Sequence, residues 1–352
     1  MSQNKVLVAM SGGVDSSVAA YLIQQQCNHC AGGIMRLCDE ALLGHPCNAD
    51  AVEDAQAVAD RLGIPLYIFD ETEAFRTQVV DRFIRCYEEG GTPNPCIDCN
   101  RHIKFDVLLQ RAKSLGFDYI ATGHYAKIAQ DQQTGRYLLY RAGDKSKDQS
   151  YFLAGLTQEQ LGHIRFPLGE LTKEQARSIA EEQGFINARK RDSQDICFIP
   201  DGDYKAFMER YTQKTYPAGD YLDTAGKIVG RHSGAVGYTI GQRKGLGIAM
   251  GEPVYVCAKD MENNTVTLGK NEDLMRSALR AENWNFIPFA QLTEPMRVMA
   301  KVRYRHTEQP ATVYPDGRVI FDAPQRAITT GQAVVLYDGD LIVGSGTITE
   351  VL

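Results

Sequence analysis

The chain has 352 residues, enough for two or three domains with ample core, and the ordinary composition of a globular protein. Its net charge of −6 argues against an evenly basic, nucleic-acid-coating surface. No apolar run approaches the ~20 residues of a membrane helix, the N-terminus reads as a strand and not a signal peptide, and nine scattered cysteines are no secreted disulfide framework. A cytoplasmic protein with no membrane association is expected.

Residues 5–125 alternate apolar strands with helices. Lys5–Met10 reads as a strand, followed by a glycine turn and a helix to about Gln26. Ile34–Leu37, "PLYIFD" and "DYIATGH" read as further strands, and 50–62, 73–89 and 102–115 as helices. This alternation predicts a parallel sheet covered on both faces, with ligands beyond the carboxyl ends of its strands. Thr172 and Gln175 form a capping box opening one more helix, closed by Gly184. After about residue 208 short alternating runs are punctuated by Gly, Pro, Asn and Asp, the texture of small β barrels or sandwiches. The expected organisation is therefore α/β for 1–207, a small β-rich domain over 208–270 and a β-barrel over 271–352.

"VLVAMSGGVDSSVAAYLI" is the most informative stretch. A buried strand runs into Ser11-Gly12-Gly13, and a helix starts at about Val14. Glycines permit a tight turn, and first-turn amides with the helix dipole face any bound anion. The loop is neither a Walker A loop nor G-x-G-x-x-G. Ser-Gly-Gly-x-Asp-Ser instead resembles the signature of the ATP pyrophosphatases, which cleave ATP between the α and β phosphates. On that reading Ala9, Met10, Ser11, Gly12, Gly13, Val14, Asp15 and Ser16 surround the nucleotide. The hydroxyls of Ser11, Ser16 and Ser17 add donors, and Asp15 meets Mg²⁺ rather than phosphate. Met35 and Gly123, at the ends of the second and fourth strands, would border the nucleotide.

Cys96 and Cys99 lie three apart after a Pro-Asn-Pro turn. A zinc clip with Cys27 and Cys30, a redox pair, a cluster and a sulfur-transfer site all remain open on spacing alone. Cys99 is placed at a helix start, which would lower its thiol pKa. Cys197 sits in an apolar run between Ile196 and Phe198 and reads locally as a buried strand cysteine. Cys38, Cys86 and Cys257 read as buried small hydrophobes. Arg189-Lys190-Arg191, Arg243-Lys244 and Arg303 to His306 are basic clusters in the second half, two of them with aromatic neighbours, and form a local nucleic-acid footprint.

Ordered motifs then add a resemblance: "MSGGVDSSVAA", "NADAVEDAQAVADRLGIP", "GTPNP", "CNRHIKF", "YIATGHYA", "KSKDQSYFL", "DSQDICFI", "YTIGQRKGLGIA", "VRYRHT" and "TTGQAVVLYDGD". Nearly end to end, the chain resembles the bacterial tRNA-specific 2-thiouridylases. The loop spanning 38–47 departs most. The resemblance implies an adenine-nucleotide α-hydrolase-like domain and two mostly β domains clasping tRNA. It implies adenylation of C2 of the wobble uridine (position 34) by ATP, release of pyrophosphate, and displacement of AMP by sulfur. The alternative is another tRNA-thiolating or amide-forming ATP pyrophosphatase.

By the same resemblance Cys197 carries a persulfide, and Cys99 attacks it to leave a transient Cys99–Cys197 disulfide. Asn94, Pro95 and Cys96 meet the target base; His124, Lys147, Asp148, Gln149, Tyr304, Arg305 and Gln332 meet the tRNA. Such a base must be flipped out, and aromatic and Arg side chains suit unstacked anticodon bases. Many relatives carry Asp where this chain has Cys96, and a thiol is a far weaker acid. Cys96, Cys99 and Cys197 would together offer three thiolates to a 4Fe–4S cluster, an alternative sulfur carrier. Expected partners are tRNA with a wobble uridine (Glu, Gln and Lys isoacceptors) and a sulfur-donor protein of a cysteine desulfurase system. A monomer is expected.

Overall fold

The computed structural model describes residues 4–27, 29–38, 49–190 and 196–352. Cys47, Arg191 and positions 192–195 of the "DSQDICFI" motif lie outside the described residues.

Strands β1 (Val6–Ala9), β2 (Cys30–Arg36), β3 (Leu66–Asp70), β4 (Tyr119–Ala121) and β7 (Ile164–Arg165) form a parallel sheet in the order β3-β2-β1-β4-β7. The central strand is apolar along its length because helices cover both faces; Val6, Leu7 and Val8 are at most 2% exposed. One face packs on helices Val14–Gln26 and Ala49–Leu62, through Val18, Ala55 and Val58. The other packs on the helical segment ending at Ser114, through Phe105, Leu108 and Leu109. The strand order reverses between β1 and β4, so the crevice opens at the loop after β1.

Helices are stopped and started as the local chemistry requires. Thr172 caps Lys173–Glu182 with the reciprocal Gln175 bond, and a second such box, Thr157 with Gln160, opens Gln158–Gly162. The helix expected over 102–115 begins earlier, at Pro95. Asn94 is its N-cap and Pro95 its first residue, where a missing N–H costs nothing. The backbone then widens into π-helical bonding over Cys99–Val107 before regular turns resume over Leu108–Ser114.

The second half is β-rich, as the alternation predicts. Strands β8 (Gly219–Leu222), β9 (Ile228–His232), β10 (Tyr255–Asp260) and β11 (Thr265–Gly269) form a four-stranded sheet around Tyr221, Val256 and Val266. The boundary expected after residue 207 falls within helix Tyr204–Thr212.

Strands β12 (Met275–Phe286), β13 (Met296–Lys301), β14 (Gln309–Val313), β15 (Arg318–Arg326), β16 (Ala333–Asp338) and β17 (Leu341–Val351) close into a barrel through the β12–β17 pairing. Closure removes the exposed edges that such strands would otherwise present. The hairpin β5 (Lys127–Gln130) and β6 (Tyr137–Tyr140), from the first half of the chain, extends this sheet where Tyr140 pairs with Leu341. Arg136 Nε donates to Ile287 O at 2.9 Å, and Asn285 Nδ2 to Ala154 O at 2.9 Å, so side chains of the first and third domains each bond the other's backbone. Among the described residues no helix is long and apolar enough to cross a membrane.

Candidate active site

The turn after β1 has the geometry its glycines predict. Gly12 has φ +69°, and a Cβ there would lie 2.6 Å from Ala51 O, so a side chain is excluded by conformation and by space. Gly13 caps the helix, and the amides of the next residues, in its first turn, lack intrahelical acceptors. Amides so placed can donate to an anion.

The hydroxyls divide differently from expectation. Ser17 is fully buried, donates to Gly13 O at 3.0 Å and accepts from Asn187 Nδ2 at 2.9 Å. Ser16 donates to Gly13 O at 2.9 Å and accepts from Ser11 N at 3.1 Å. Both therefore brace the turn from within, and Ser11, which is exposed, donates its own hydroxyl to Ser16 Oγ at 3.2 Å. Asn187 also donates to Gly12 O at 3.0 Å. It is 3% exposed and fixes the loop from behind, a role that nothing in its local sequence signals.

Asp15 is already engaged. Lys173 Nζ lies 2.8 Å from each of its carboxylate oxygens, and Tyr125 donates its hydroxyl to Oδ1 at 2.9 Å. A Mg²⁺ ion on Asp15 would have to displace Lys173, so this donor set does not fit a protein-held magnesium. Any ion arriving with ATP would rest chiefly on phosphate and water oxygens. Gly123 backs onto the same turn: a Cβ there would sit 2.6 Å from the Asp15 carbonyl carbon and 2.7 Å from Ser16 N. It makes room for the loop itself. Met35 is partly buried between two core clusters.

The thiols lie beside this sheet. Cys99 is four residues inside its helix, not at the start, and only 8% exposed. Burial pushes its thiol up to about 11, with Lys104 pulling the other way. The expected helix-start activation is thus overturned at Cys99. Cys96 occupies the first turn and reaches the surface, yet the surrounding protein still pushes its thiol up against the opposing pull of Lys104.

Cys197 is exposed in a turn, contrary to the local reading as a buried strand cysteine. Its neighbours anchor it. Phe198 and Ile199 are 1% exposed and share one apolar cluster with Cys99, Phe75 and Phe83, and Ile196 packs against that cluster. Cys38 is buried there too, while Cys86 and Cys257 are only half-buried.

His124 meets the Phe105 ring at a tilt and the Phe166 ring edge-on, and its Nδ1 lies 2.7 Å from Thr122 Oγ1. Burial first, then Lys104, holds its pKa well below the ordinary value, so the ring is neutral at pH 7. Lys104 therefore acts electrostatically on Cys96, Cys99 and His124 together, a role the motif "CNRHIKF" contains but does not announce.

The remaining candidates are held by contacts of their own. Gln149 accepts from Tyr125 N at 3.0 Å, tying its loop to the Asp15 partner. The Asp148 carboxylate accepts from Ala142 N and Ser150 and is spent on loop structure, while the Asp148 carbonyl accepts from the Tyr304 hydroxyl at 3.3 Å. Lys147 donates its amide to Asp144 O within the same loop. The Tyr304 ring stands 4.4 Å from that of Phe152, and Arg305 beside it is exposed. Gln332 donates to Thr92 O at 3.1 Å and Pro93 O at 3.2 Å, immediately before Asn94 and Pro95. Among the described residues no three or more Cys, His, Asp or Glu side chains gather as a metal site. Cys96, Cys99 and Cys197 thus lack the shared focus a 4Fe–4S cluster needs.

A parallel sheet with an anion-binding turn after its first strand, followed by two β domains, defines an ATP-binding protein of the HUP fold. Family models match the chain in three consecutive pieces: a tRNA methyl transferase HUP domain over 4–201, a tRNA methyl transferase PRC-barrel domain over 205–270 and an aminomethyltransferase beta-barrel domain over 276–348. The tRNA-specific 2-thiouridylase MnmA of Clostridioides difficile (strain 630) is 49% identical over 99% of this chain and 99% of its own length. That of Acetivibrio thermocellus is 49% identical over 99% of this chain and 100% of its own. The chain belongs to the tRNA-specific 2-thiouridylase MnmA family. A solved structure titled U34-tRNA thiolase NcsA from Methanococcus maripaludis with its [4Fe-4S] cluster overlays 60% of this chain and 70% of its own at 17% identity, with a TM-score of 0.35, too loosely to bear on the cluster here.

Proposed function

We propose that this chain carries out tRNA uridine 2-thiolation by a persulfide route. ATP would lie with its phosphates on the amides of the turn after β1 and the Ser11 hydroxyl. The uracil C2 oxygen attacks the α phosphorus, pyrophosphate leaves, and a poor leaving group becomes AMP. The terminal sulfur of a Cys197 persulfide then attacks C2 and AMP departs. The Cys99 thiolate attacks Cys197 Sγ, which breaks the S–S bond, releases the 2-thiouridine sulfur and leaves a Cys99–Cys197 disulfide. Two electrons from an external thiol reductant restore both cysteines.

The observation that carries this reading is the common cluster of Cys99 with the residues flanking Cys197. An exposed thiol that a donor protein can load would then be tethered, through its neighbours, to the cluster that holds a buried thiol able to resolve it. Asn94, Pro95 and Cys96, at the start of the Cys99 helix, would border the flipped base, the wobble uridine of Glu, Gln or Lys isoacceptors. The exposed Arg305 and the Tyr304 ring would meet tRNA, as would His124 and the 147–149 loop. A cysteine desulfurase system would supply the sulfur, and the chain would act as a cytoplasmic monomer. Methyl transfer, the word in two family-model descriptions, uses neither the pyrophosphate turn nor a thiol pair.

The test is 2-thiouridine formation by the purified chain with tRNA, ATP and a persulfide donor, read by nucleoside mass spectrometry. Cys99→Ser and Cys197→Ala should each abolish product while tRNA binding survives. Activity retained in either variant removes that residue from the route. Iron-dependent activity after anaerobic reconstitution would replace the persulfide by a cluster.

A further inference from the structure

We infer that Lys259, in the middle domain, is a positioning residue for the thiolation site, holding the backbone from which the Asn94–Cys99 segment springs. Lys259 lies on β10 and reaches out of its own sheet. Its Nζ donates to Tyr238 O at 2.8 Å, lies 3.5 Å from Gly91 O of the first domain, and stands 5.6 Å from the centre of the Tyr87 ring. The hydrogen bonds of this ammonium go to carbonyl oxygens and not to a carboxylate. A crowded ammonium held by carbonyls and a ring is costly to keep charged. Burial pushes it down to about 8, and the nearby Cys86 pulls the other way. Glu89 and Asp98 act on Cys86, and Arg303 on Tyr87, at the edge of the same junction.

The third domain grips the next two residues. Thr92 N donates to Thr330 O at 2.9 Å, and Gln332 donates to Thr92 O and Pro93 O. Three successive carbonyls, at 91, 92 and 93, are thus held from two other domains. The fit is close on both sides: a Cβ on Gly90 would lie 3.0 Å from Met261 Cγ, and one on Gly91 2.8 Å from Cys86 Sγ. The Thr92 hydroxyl is buried without a hydrogen-bond partner, so the polar contacts of that residue are made by its backbone. Asn94 follows directly as the N-cap of the helix bearing Cys96 and Cys99. Release of this clamp frees the helix start, and displacement there moves the base-facing residues relative to the thiols.

The inference rests on the thiolation reading, and one experiment separates the two. Wild type, Lys259→Met and Lys259→Arg are compared in single-turnover 2-thiouridine formation at saturating tRNA and ATP, from pH 6.5 to 9.5, with tRNA half-saturation and thermal melting measured alongside. K259M should turn over about tenfold to a hundredfold more slowly, with half-saturation within about threefold of wild type, because misplacement costs rate more than binding. K259R should keep most of the neutral-pH rate, and because any pH dependence of the chemistry itself is common to both proteins, the ratio of the wild-type rate to the K259R rate should fall above pH about 8, where the lysine neutralises and the arginine does not. K259M within twofold of wild type overturns the inference, as does a wild-type to K259R rate ratio that stays constant from pH 6.5 to 9.5. If K259M fails to fold, the K259R comparison decides alone. A wild-type chain that forms no 2-thiouridine overturns the thiolation reading and this inference with it.

Discussion

Lys173 places its ammonium 2.8 Å from both carboxylate oxygens of Asp15, across 158 positions of chain, in a side chain only 7% exposed. The pair stands at the first turn of the helix that follows the phosphate turn. Lys173 is also the first residue of its own helix, where the dipole disfavours a cation. The fold therefore spends stability to hold a positive charge there. Its removal would leave an unpaired carboxylate facing an incoming triphosphate.

Lys173→Met should accordingly cut tRNA-dependent pyrophosphate release by about a hundredfold, the scale of losing one preorganised electrostatic contact. Lys173→Arg should keep part of the rate. The check is pyrophosphate release at saturating tRNA across a range of ATP concentrations. A K173M rate within a few-fold of wild type would reduce the pair to a structural tie.

How far the chain could be read without coordinates depends on the range of each interaction. The phosphate turn was legible because strand, glycines and helix are consecutive, and the capping box at Thr172 for the same reason. Lys173 and Asn187 were not, since their partners at Asp15, Gly12 and Ser17 are more than 150 positions away. Cys99 was misplaced at a helix start because the π-helical stretch extends the helix back to Pro95; the Pro at the first helical position was the missed signal. Cys197 reads as buried because its neighbours are, but the turn there points them inward and leaves the thiol out. The β5–β6 hairpin joins the barrel through a pairing no local pattern encodes.

The buried Cys99 gives a pH prediction. Its reactive form is the thiolate, and a thiol pushed up to about 11 is mostly protonated at pH 7. The Cys99-dependent step should therefore accelerate as pH rises from 7 to 9. Lys104 is the cation pulling that thiol back down. Lys104→Met should slow the step by about tenfold, one pKa unit's worth of thiolate. Because both proteins then titrate above the measured range, the deficit should stay constant with pH. The readout is single-turnover release of 2-thiouridine from enzyme preloaded with persulfide. A pH-independent rate would take deprotonation of Cys99 out of the slow step.

The three candidate cluster ligands give a metal prediction. Cys99 is enclosed in an apolar cluster, whereas Cys96 and Cys197 reach the surface, and no shared metal site forms among the described residues. Anaerobic iron and sulfide reconstitution should leave the protein without the brown absorbance of a cluster, and chelator treatment should leave persulfide-driven thiolation unchanged. A stable absorbance that is lost in Cys96→Ala would show that the chain rearranges to bring the three thiols together.

Arg305 offers a test of the proposed tRNA contact. It is exposed, next to a Tyr304 ring held by Phe152 and by the Asp148 carbonyl. That support fixes where the guanidinium emerges without engaging it. A phosphate contact there displaces about one counterion, so Arg305→Ala should weaken tRNA binding and lower the slope of log affinity against log salt by about one. A base contact would weaken binding too, but would leave the slope unchanged and act unequally on tRNAs of different sequence. Binding isotherms at three or more salt concentrations separate the two. An unchanged slope places the side chain away from phosphate, and unchanged affinity takes it out of the tRNA interface.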